Sequence, residues 1–277
     1  MKNETIIQLK NVTKAFNKAP LLKDINLTIT RGQSIALTGS NGIGKSTLLK
    51  IIAKLSAVQG GKVIHHKDLI FRYVPEKFPV SNLTVTQYLG LMGGIDGLAG
   101  ESLKTRLDSF LADFFMTHMA NTPLAYLSKG SLQKVGVIQA LLITPDVLLL
   151  DEPLSGQDAK SQRVFIGKIK ALMESGMTII MSCHEPYLIS EIADTVIEIE
   201  NQDLEVVQYE RRAPSKEYQL VFVDEVGGLE LPELPVPIDT SGDQVTMYVN
   251  EAKTDEIIAL MLKSGWSLRR MNHETDD

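Results

Sequence analysis

The chain has few of the residues that covalent cross-links and membrane spans require. Its 277 residues include one cysteine, which excludes an internal disulfide and fits a reducing compartment. Apolar runs such as residues 147–150 are far shorter than the roughly 18 residues that cross a bilayer. We therefore expect a soluble chain without a targeting or membrane-spanning segment, which could still dock on a membrane protein.

Basic residues are also the minority among the charged residues. The sequence has 28 Lys and Arg against 34 Asp and Glu, a net charge of −6. This balance argues against a broad nucleic-acid footprint. Apolar residues make up 44% and charged residues 22%, which is typical of a globular protein. The length fits one large α/β domain with a small appendage.

Short apolar stretches alternate with stretches of helical periodicity through the first two hundred residues. The predicted strands are residues 6–9, 25–29, 34–37, 147–150, 178–181 and 195–199. The predicted helices are residues 45–55, 131–143, 164–173 and 187–193, and residues 80–126 are predicted to be mostly helical. Strands that alternate with helices predict a mostly parallel sheet.

The pattern changes near residue 201. Residues 211–215 are typical of a linker, and the proline-rich residues 231–237 fit neither helix nor strand. Strands are predicted at residues 219–223, 244–249 and 266–270, with a helix at 254–263. We predict a main domain over residues 1–204, with a helical subdomain at about 80–135, and a small α+β domain over 205–277.

A glycine-rich stretch, Gly39–Ser46, follows one predicted strand and precedes a predicted helix. It matches the pattern G-x-x-x-x-G-K-[ST], in which glycines let the backbone N–H groups wrap a phosphate. The N-terminus of the following helix adds partial positive charge. The motif predicts that Lys45 reaches the β- and γ-phosphates of a nucleotide and that Ser46 holds magnesium.

Two carboxylates end the apolar strand at residues 147–150. Ligands of open α/β sheets bind at the carboxyl ends of the strands, which is where Asp151 and Glu152 would lie. Asp151 suits magnesium. Glu152 suits a general base aimed at the water that attacks the γ-phosphate.

A third motif, Leu127-Ser128-Lys129-Gly130-Ser131, begins a predicted helix. By itself it predicts only a helix start at which Ser128 caps the backbone and exposed N–H groups suit an anion. Together with the two motifs above, it resembles the signature sequence of ABC-type ATPases, usually written L-S-G-G-Q. The resemblance covers roughly residues 5–200.

The resemblance implies a P-loop NTPase core of the α/β class, with an antiparallel β subdomain, a helical subdomain and the α+β appendage. It implies ATP hydrolysis with ATP and Mg²⁺ bound. It makes Phe16 the aromatic residue that stacks on adenine, residues 155–158 the D-loop and His184 the switch histidine. The catalytic residues that it implies are Glu152, His184 and Lys45. The nucleotide-binding residues that it implies are Phe16, Gly39, Ser40, Asn41, Gly42, Ile43, Gly44, Lys45, Ser46, Thr47, Ser128, Gly130 and Asp158. The metal-binding residues that it implies are Ser46, Asp151 and Glu76.

The sequence departs from the family pattern at several positions. Lys129 and Ser131 replace the usual glycine and glutamine of the signature, and Glu76 stands where the Q-loop usually has glutamine. Glutamate at this position, followed by Leu83-Thr84-Val85, resembles exporter-type subunits that handle antibiotics, peptides or lipids. The resemblance therefore implies export.

The family also implies partners. Two copies of such a domain, or one copy and a related ATPase subunit, pack head to tail and enclose ATP between Lys45 of one copy and Ser128 of the other. Separate transmembrane permease subunits would carry the substrate, with no nucleic acid involved. The expected location is the cytoplasm, peripherally on the inner face of the membrane.

Two other functions stay open at this point. One is a soluble ABC ATPase of repair, translation or cofactor assembly, although a second ATPase half, a long heptad tract and a cysteine cluster are all missing from the sequence. The other is a different P-loop enzyme, such as a GTPase or a small-molecule kinase. Asn17-Lys18-Ala19-Pro20 is the nearest match to a guanine-reading N-K-x-D motif, and it lacks the acid.

Overall fold

A computed structural model of the chain describes residues 4–17, 19–66, 68–154, 156–207 and 217–273. The described residues form two compact units. The first unit takes the residues up to 157 and those from 164 to 207, and the second takes 158–163 and 217–273. The predicted linker at 211–215 lies outside the described residues.

The strands of the first unit belong to an antiparallel sheet and a mostly parallel one. They are β1 (Thr5–Phe16), β2 (Ala19–Thr30), β3 (Ser34–Thr38), β4 (Gly60–His65), β5 (Phe71–Val74), β6 (Val147–Asp151), β7 (Thr178–Ser182), β8 (Thr195–Glu200) and β9 (Asp203–Val207). The antiparallel sheet has the order β2-β1-β4, and the other has the order β5-β6-β7-β3-β8-β9. In the second sheet β5 to β8 are parallel, and β9 runs antiparallel at the edge.

Helices surround these sheets. They are α1 (Lys45–Ile52), α2 (Val85–Ile95), α3 (Gly100–Asp113), α4 (Lys129–Leu141), α5 (Ala159–Glu174) and α6 (Pro186–Ile192). Helix α1 buries Leu48, Leu49, Ile51 and Ile52 in one cluster with strand residues of both sheets. Within the described ranges, no helix is both long and apolar enough to cross a membrane.

The predicted fold class is confirmed. The parallel sheet, the separate antiparallel sheet and the helical region containing α2, α3 and α4 are all present. Every residue of β6 and β7 is buried, as expected of parallel strands that are covered on both faces. Because β3, β5, β6 and β7 are neighbours in one parallel sheet, their carboxyl ends meet at one edge.

The second unit is an antiparallel sheet with a helix packed on it. Its elements are β10 (Glu217–Val223), β11 (Ile238–Ser241), β12 (Gln244–Asn250), α7 (Glu251–Lys263) and β13 (Ser267–His273), and the strand order is β11-β12-β10-β13. Phe222 and Met247 of the sheet form a buried core with Ile257 and Met261 of α7. Residues 231–237 adopt neither helix nor strand.

The structure differs from the sequence prediction at one domain boundary and at the start of one helix. The predicted domain boundary after residue 204 falls inside β9, which pairs with β8 and so completes the sheet of the first unit. Helix α5 begins at Ala159, well before the predicted start at 164, because the Asp158 carboxylate accepts the backbone N–H of Ser161 at 2.8 Å and caps the first turn.

Candidate functional site

The glycine-rich loop leaves the carboxyl end of β3 and leads directly into α1. Gly39 has a φ of +124°, and a Cβ added there would lie 2.6 Å from the backbone oxygen of Ile199. Gly44 has a φ of 122° just before the helix begins at Lys45. Only glycine adopts this path without strain. The loop therefore directs the free N–H groups at the start of α1 toward the edge of the sheet.

The side chain of Lys45 lies in the middle of the loop. Its Nζ donates hydrogen bonds to the carbonyl oxygens of Gly39 at 2.7 Å and Ser40 at 3.3 Å, and it lies 2.9 Å from Nε2 of His184. Burial lowers the pKa of Lys45, while the nearby carboxylates of Glu152 and Asp151 oppose that shift. The result is an amine fixed at the point where the motif places phosphate.

Three hydroxyl groups surround the buried Asp151 carboxylate. Ser46 and Ser182 both donate to Oδ1, at 2.8 and 2.7 Å, and the Tyr73 hydroxyl donates to Oδ2 at 2.8 Å. Burial, followed by the charge of Asp151, raises the pKa of Tyr73 above its usual range, so this hydroxyl remains a donor. Sequence reasoning found Asp151 and Ser46 but missed Tyr73 and Ser182.

Glu152 follows Asp151 in an unusual backbone conformation. Its φ is +52°, in the left-handed region that residues with a Cβ seldom adopt. The Glu152 N–H donates to the backbone oxygen and to Oγ of Ser182, both at 3.1 Å. Burial raises the pKa of the Glu152 carboxyl, and the neighbouring His184 opposes the shift. A carboxylate with a raised pKa is a better proton acceptor, which suits a general base.

His184 closes the other side of the site. Its Nε2 lies 3.1 Å from Oε1 of Glu152 and 3.0 Å from Oδ1 of Asn41. It therefore lies among Lys45, Glu152 and the loop, at the end of β7.

Lys45, Ser46, Glu152 and His184 face a cavity of about 520 Å³, whereas the buried Asp151 is not among the described residues that line it. The residues that line it are Asn41, Gly42, Gly44, Lys45, Ser46, Thr47, Glu76, Glu152 and His184. The structure thus brings most of the loop together with Glu76, Glu152 and His184. The combination of N–H groups, a lysine amine and a serine hydroxyl suits a phosphate chain.

Other predicted residues do not line this cavity in the described part of the chain. Phe16 is 53% exposed, and Nζ of Lys14 lies 4.8 Å from the centre of its ring. Ser128 is the N-cap of α4, where it accepts the N–H of Ser131 at 3.2 Å. Asp158 belongs to the second unit.

The signature glycine is held against the D-loop within the first unit. A Cβ on Gly130 would lie 1.9 Å from the backbone oxygen of Gly156, far inside any real contact. Glycine at position 130 therefore allows the start of α4 to contact the D-loop backbone. This contact fixes the position of Ser128 relative to the segment that follows Glu152.

The donor set fits magnesium. In the described residues, no group of three or more His, Cys, Asp or Glu side chains could hold a metal ion. Magnesium usually takes one or two carboxylates and completes its ligands with water and substrate phosphates. Asp151 and Ser46, with their oxygens 2.8 Å apart, provide a carboxylate and a hydroxyl beside the phosphate loop.

Comparisons with known proteins place the chain in one family. The family described as "ABC transporter" matches residues 22–155. The chain is 34% identical to the "Zinc import ATP-binding protein ZnuC" of Mannheimia succiniciproducens over 194 residues, which are 69% of this chain and 70% of that protein. It is also 34% identical to the protein of the same name from Photobacterium profundum over 197 residues, 70% and 74% of the two chains.

One solved structure has a fold similar to that of this chain. It is a dimeric ATP-binding cassette in a post-hydrolysis state bound to ADP and Pi, with a TM-score of 0.67 and 25% identity over 75% of this chain and all of that one. Both sequence relatives are named as importers, so the comparisons do not support the exporter branch that Glu76 and Leu83-Thr84-Val85 suggested. The chain belongs to the ABC transporter family, as an ATP-hydrolysing subunit that works with ATP and Mg²⁺.

Proposed function

We propose that this chain hydrolyses ATP to drive import of zinc, or of a closely related divalent metal ion, through separate membrane subunits. The observation that carries the proposal is the 34% identity, over about 70% of the chain, to ATP-binding proteins named for zinc import. In this proposal the subunit docks on the cytoplasmic face of the membrane through those partners. The soluble ABC functions and the other P-loop enzymes lack a comparable observation.

The site supports specific roles for its residues. Lys45 and the N–H groups of the loop bind the phosphates, since they converge on one cavity. Ser46 and Asp151 hold magnesium, with Glu76 facing the same cavity as a third oxygen ligand. When bound, the metal neutralises charge on the phosphates. Glu152 accepts the proton of the attacking water while the bond from the γ-phosphate to ADP breaks.

His184 has a supporting role in this scheme. Its Nε2 already lies within hydrogen-bonding distance of Asn41, Lys45 and Glu152. A single ring nitrogen cannot serve three partners at once. We therefore assign it to a contact with the γ-phosphate, which would replace some of these contacts.

The signature residues support a composite site made by two copies. Ser128 is exposed at the N-terminus of α4, outside the set of described residues that line the phosphate cavity. A helix N-terminus with a serine hydroxyl suits an anion. A second copy packed head to tail would bring its own Ser128 and Gly130 to the nucleotide bound at Lys45. One of the similar solved structures is a dimeric cassette. Loss of the γ-phosphate would then loosen the pair.

Replacing Ser128 by arginine tests this arrangement. We expect Ser128→Arg to weaken ATP-dependent dimerisation by about tenfold or more, because a long side chain would keep α4 away from the phosphate of the other copy. ATP binding to the single subunit should remain within about twofold. Light scattering in the presence of ATP measures the dimer, and a fluorescent ATP analogue measures binding.

Ser102→Arg is the matched control. Ser102 is also an exposed serine in the first turn of a helix, α3, and it lies outside the proposed interface. This variant should dimerise like the wild type. An ATP-dependent dimer of wild-type strength in Ser128→Arg would contradict the head-to-tail placement.

Zinc import is tested in the native host. Deleting the gene should lower accumulation of radioactive zinc and slow growth in chelator-treated medium, because zinc would no longer be pumped inward. A plasmid copy of the wild type should restore both, and Glu152→Gln should restore neither. Unchanged zinc accumulation in the deletion strain, or zinc retained above the wild-type level, would contradict import of zinc.

A further inference from the structure

Tyr73 contacts the proposed metal ligand Asp151 from the neighbouring strand β5. It lies on β5, next to β6 in a parallel pairing in which Tyr73 is opposite Leu149. Its hydroxyl reaches over the end of β6 and donates to Oδ2 of Asp151 at 2.8 Å. Tyr73 lies three residues before Glu76, the Q-loop position, and the sequence motifs give it no role of its own.

The hydrogen bonds of Asp151 divide between its two oxygens. Oδ1 accepts from Ser46 and Ser182, whereas Oδ2 accepts from Tyr73. When Ser46 turns to a metal ion, Ser182 would still hold Oδ1 and Tyr73 would still hold Oδ2. Two donors on different oxygens fix the rotation of a carboxylate, while one donor leaves it free to turn.

The backbone that carries Tyr73 is itself held in place. Pro75, two residues further on, accepts a hydrogen bond at its carbonyl from Nε2 of the buried Gln133 at 3.3 Å. Gln133 belongs to α4, the helix that Ser128 caps. Glu76, which directly follows Pro75, lines the cavity. Tyr73 therefore acts from a strand end that is anchored to the signature helix.

We propose that Tyr73 is a positioning residue for the magnesium site and that its hydroxyl orients the Asp151 carboxylate toward the metal. The inference rests on the proposed role of Asp151 as a metal ligand. Residues that hold metal ligands in place typically change metal affinity by 10–100-fold when they are replaced. Tyr73 does not contact the nucleotide in this proposal, so its effect should depend on the metal.

The test is a magnesium titration of nucleotide binding, read from a fluorescent ATP analogue. Tyr73→Phe should raise the magnesium concentration at half-maximal binding by about 10–100-fold. Its affinity for the analogue in EDTA should stay within about twofold of the wild type, since the loop is untouched. Asp151→Asn is measured alongside and should respond weakly to magnesium.

Tyr88→Phe is the matched control. Tyr88 is another half-buried tyrosine, and its hydroxyl donates to Oε1 of Gln139 at 2.7 Å, between α2 and α4. Removing the Tyr88 hydroxyl also deletes one partly buried hydrogen bond, so this variant reports the cost to folding alone. The magnesium midpoint of Tyr88→Phe should equal that of the wild type.

The outcomes distinguish a failure of the proposed role of Tyr73 from a failure of the proposed metal site at Asp151. An unchanged midpoint in Tyr73→Phe, an equal shift in Tyr88→Phe, or an equal loss of affinity in EDTA would overturn the role of Tyr73. A wild type that ignores magnesium, or an Asp151→Asn that titrates like the wild type, would instead overturn the proposed metal site. If Tyr73→Phe does not fold, p-methylphenylalanine at position 73 fills the space of the hydroxyl without a donor, and its midpoint decides in the same way.

Discussion

Replacing Glu152 by glutamine should lower the rate of ATP hydrolysis by about 10²–10⁴-fold while ATP still binds. Glutamine keeps the shape of the side chain but cannot accept the proton of the attacking water. Burial already raises the pKa of Glu152, so the native carboxylate is a stronger base than an exposed one. Phosphate release measures turnover, and light scattering should show a dimer that persists in ATP.

The carboxylate of Glu185 provides the control for this experiment. Glu185 accepts the N–H of His184 at 3.2 Å and raises the pKa of Glu152, yet it does not line the cavity in the described residues. Glu185→Gln should therefore retain hydrolysis within a few-fold of the wild type. Normal turnover in Glu152→Gln would remove Glu152 from the role of general base.

Replacing Lys45 by alanine should weaken nucleotide binding itself. Hydrogen bonds to charged groups contribute about 1.5–3 kcal/mol each, so the loss of one phosphate contact should raise the dissociation constant roughly 10–150-fold. Hydrolysis at saturating ATP should also fall, because the same amine faces the γ-phosphate in the proposed site. Titration with a fluorescent ATP analogue measures the binding.

Lys50→Ala controls for a general loss of positive charge. Lys50 is an exposed lysine in the last turn of the same helix, α1, away from the loop. Its removal should leave the dissociation constant within about twofold. If Lys45→Ala bound the analogue as tightly as Lys50→Ala, the amine of Lys45 would not be a phosphate ligand.

The parts of the site that sequence could predict are those encoded by adjacent residues. Gly39 to Ser46 specify their own backbone path, because glycine supplies the left-handed conformations and the helix supplies the N–H groups. The carboxylates at 151 and 152 follow from an apolar strand that ends in acids. In both cases a few neighbouring side chains decide the local structure.

The remaining contacts depend on which strands become neighbours. Sequence gives no order for the sheet, so the meeting of Tyr73 on β5 and Ser182 on β7 with Asp151 on β6 was not predictable. Strand β5 was itself missed, because four residues that include a charged Arg72 form too short a pattern. Strand β4 was also missed, because it begins with Gly60 and Gly61 and glycine pairs are typical of turns.

The predicted boundary after residue 204 falls inside a strand for a related reason. Strand β9 alternates weakly and is mostly exposed, so the sequence offered little reason to assign it to the first unit. Its hydrogen bonds to β8, such as the pairing of Val196 with Val207, decide the assignment. Pairing between strands is a property of the folded chain rather than of a single segment.

The left-handed backbone at Glu152 also bears on how this chain could evolve. A residue with a Cβ pays about 1–2 kcal/mol in that conformation, and glycine would avoid most of it. Selection for thermal robustness would therefore favour glycine at position 152, whereas selection for turnover favours the carboxylate. Folding stability and catalysis therefore favour different residues at position 152. A homologue that no longer hydrolyses ATP would gain stability from glycine there.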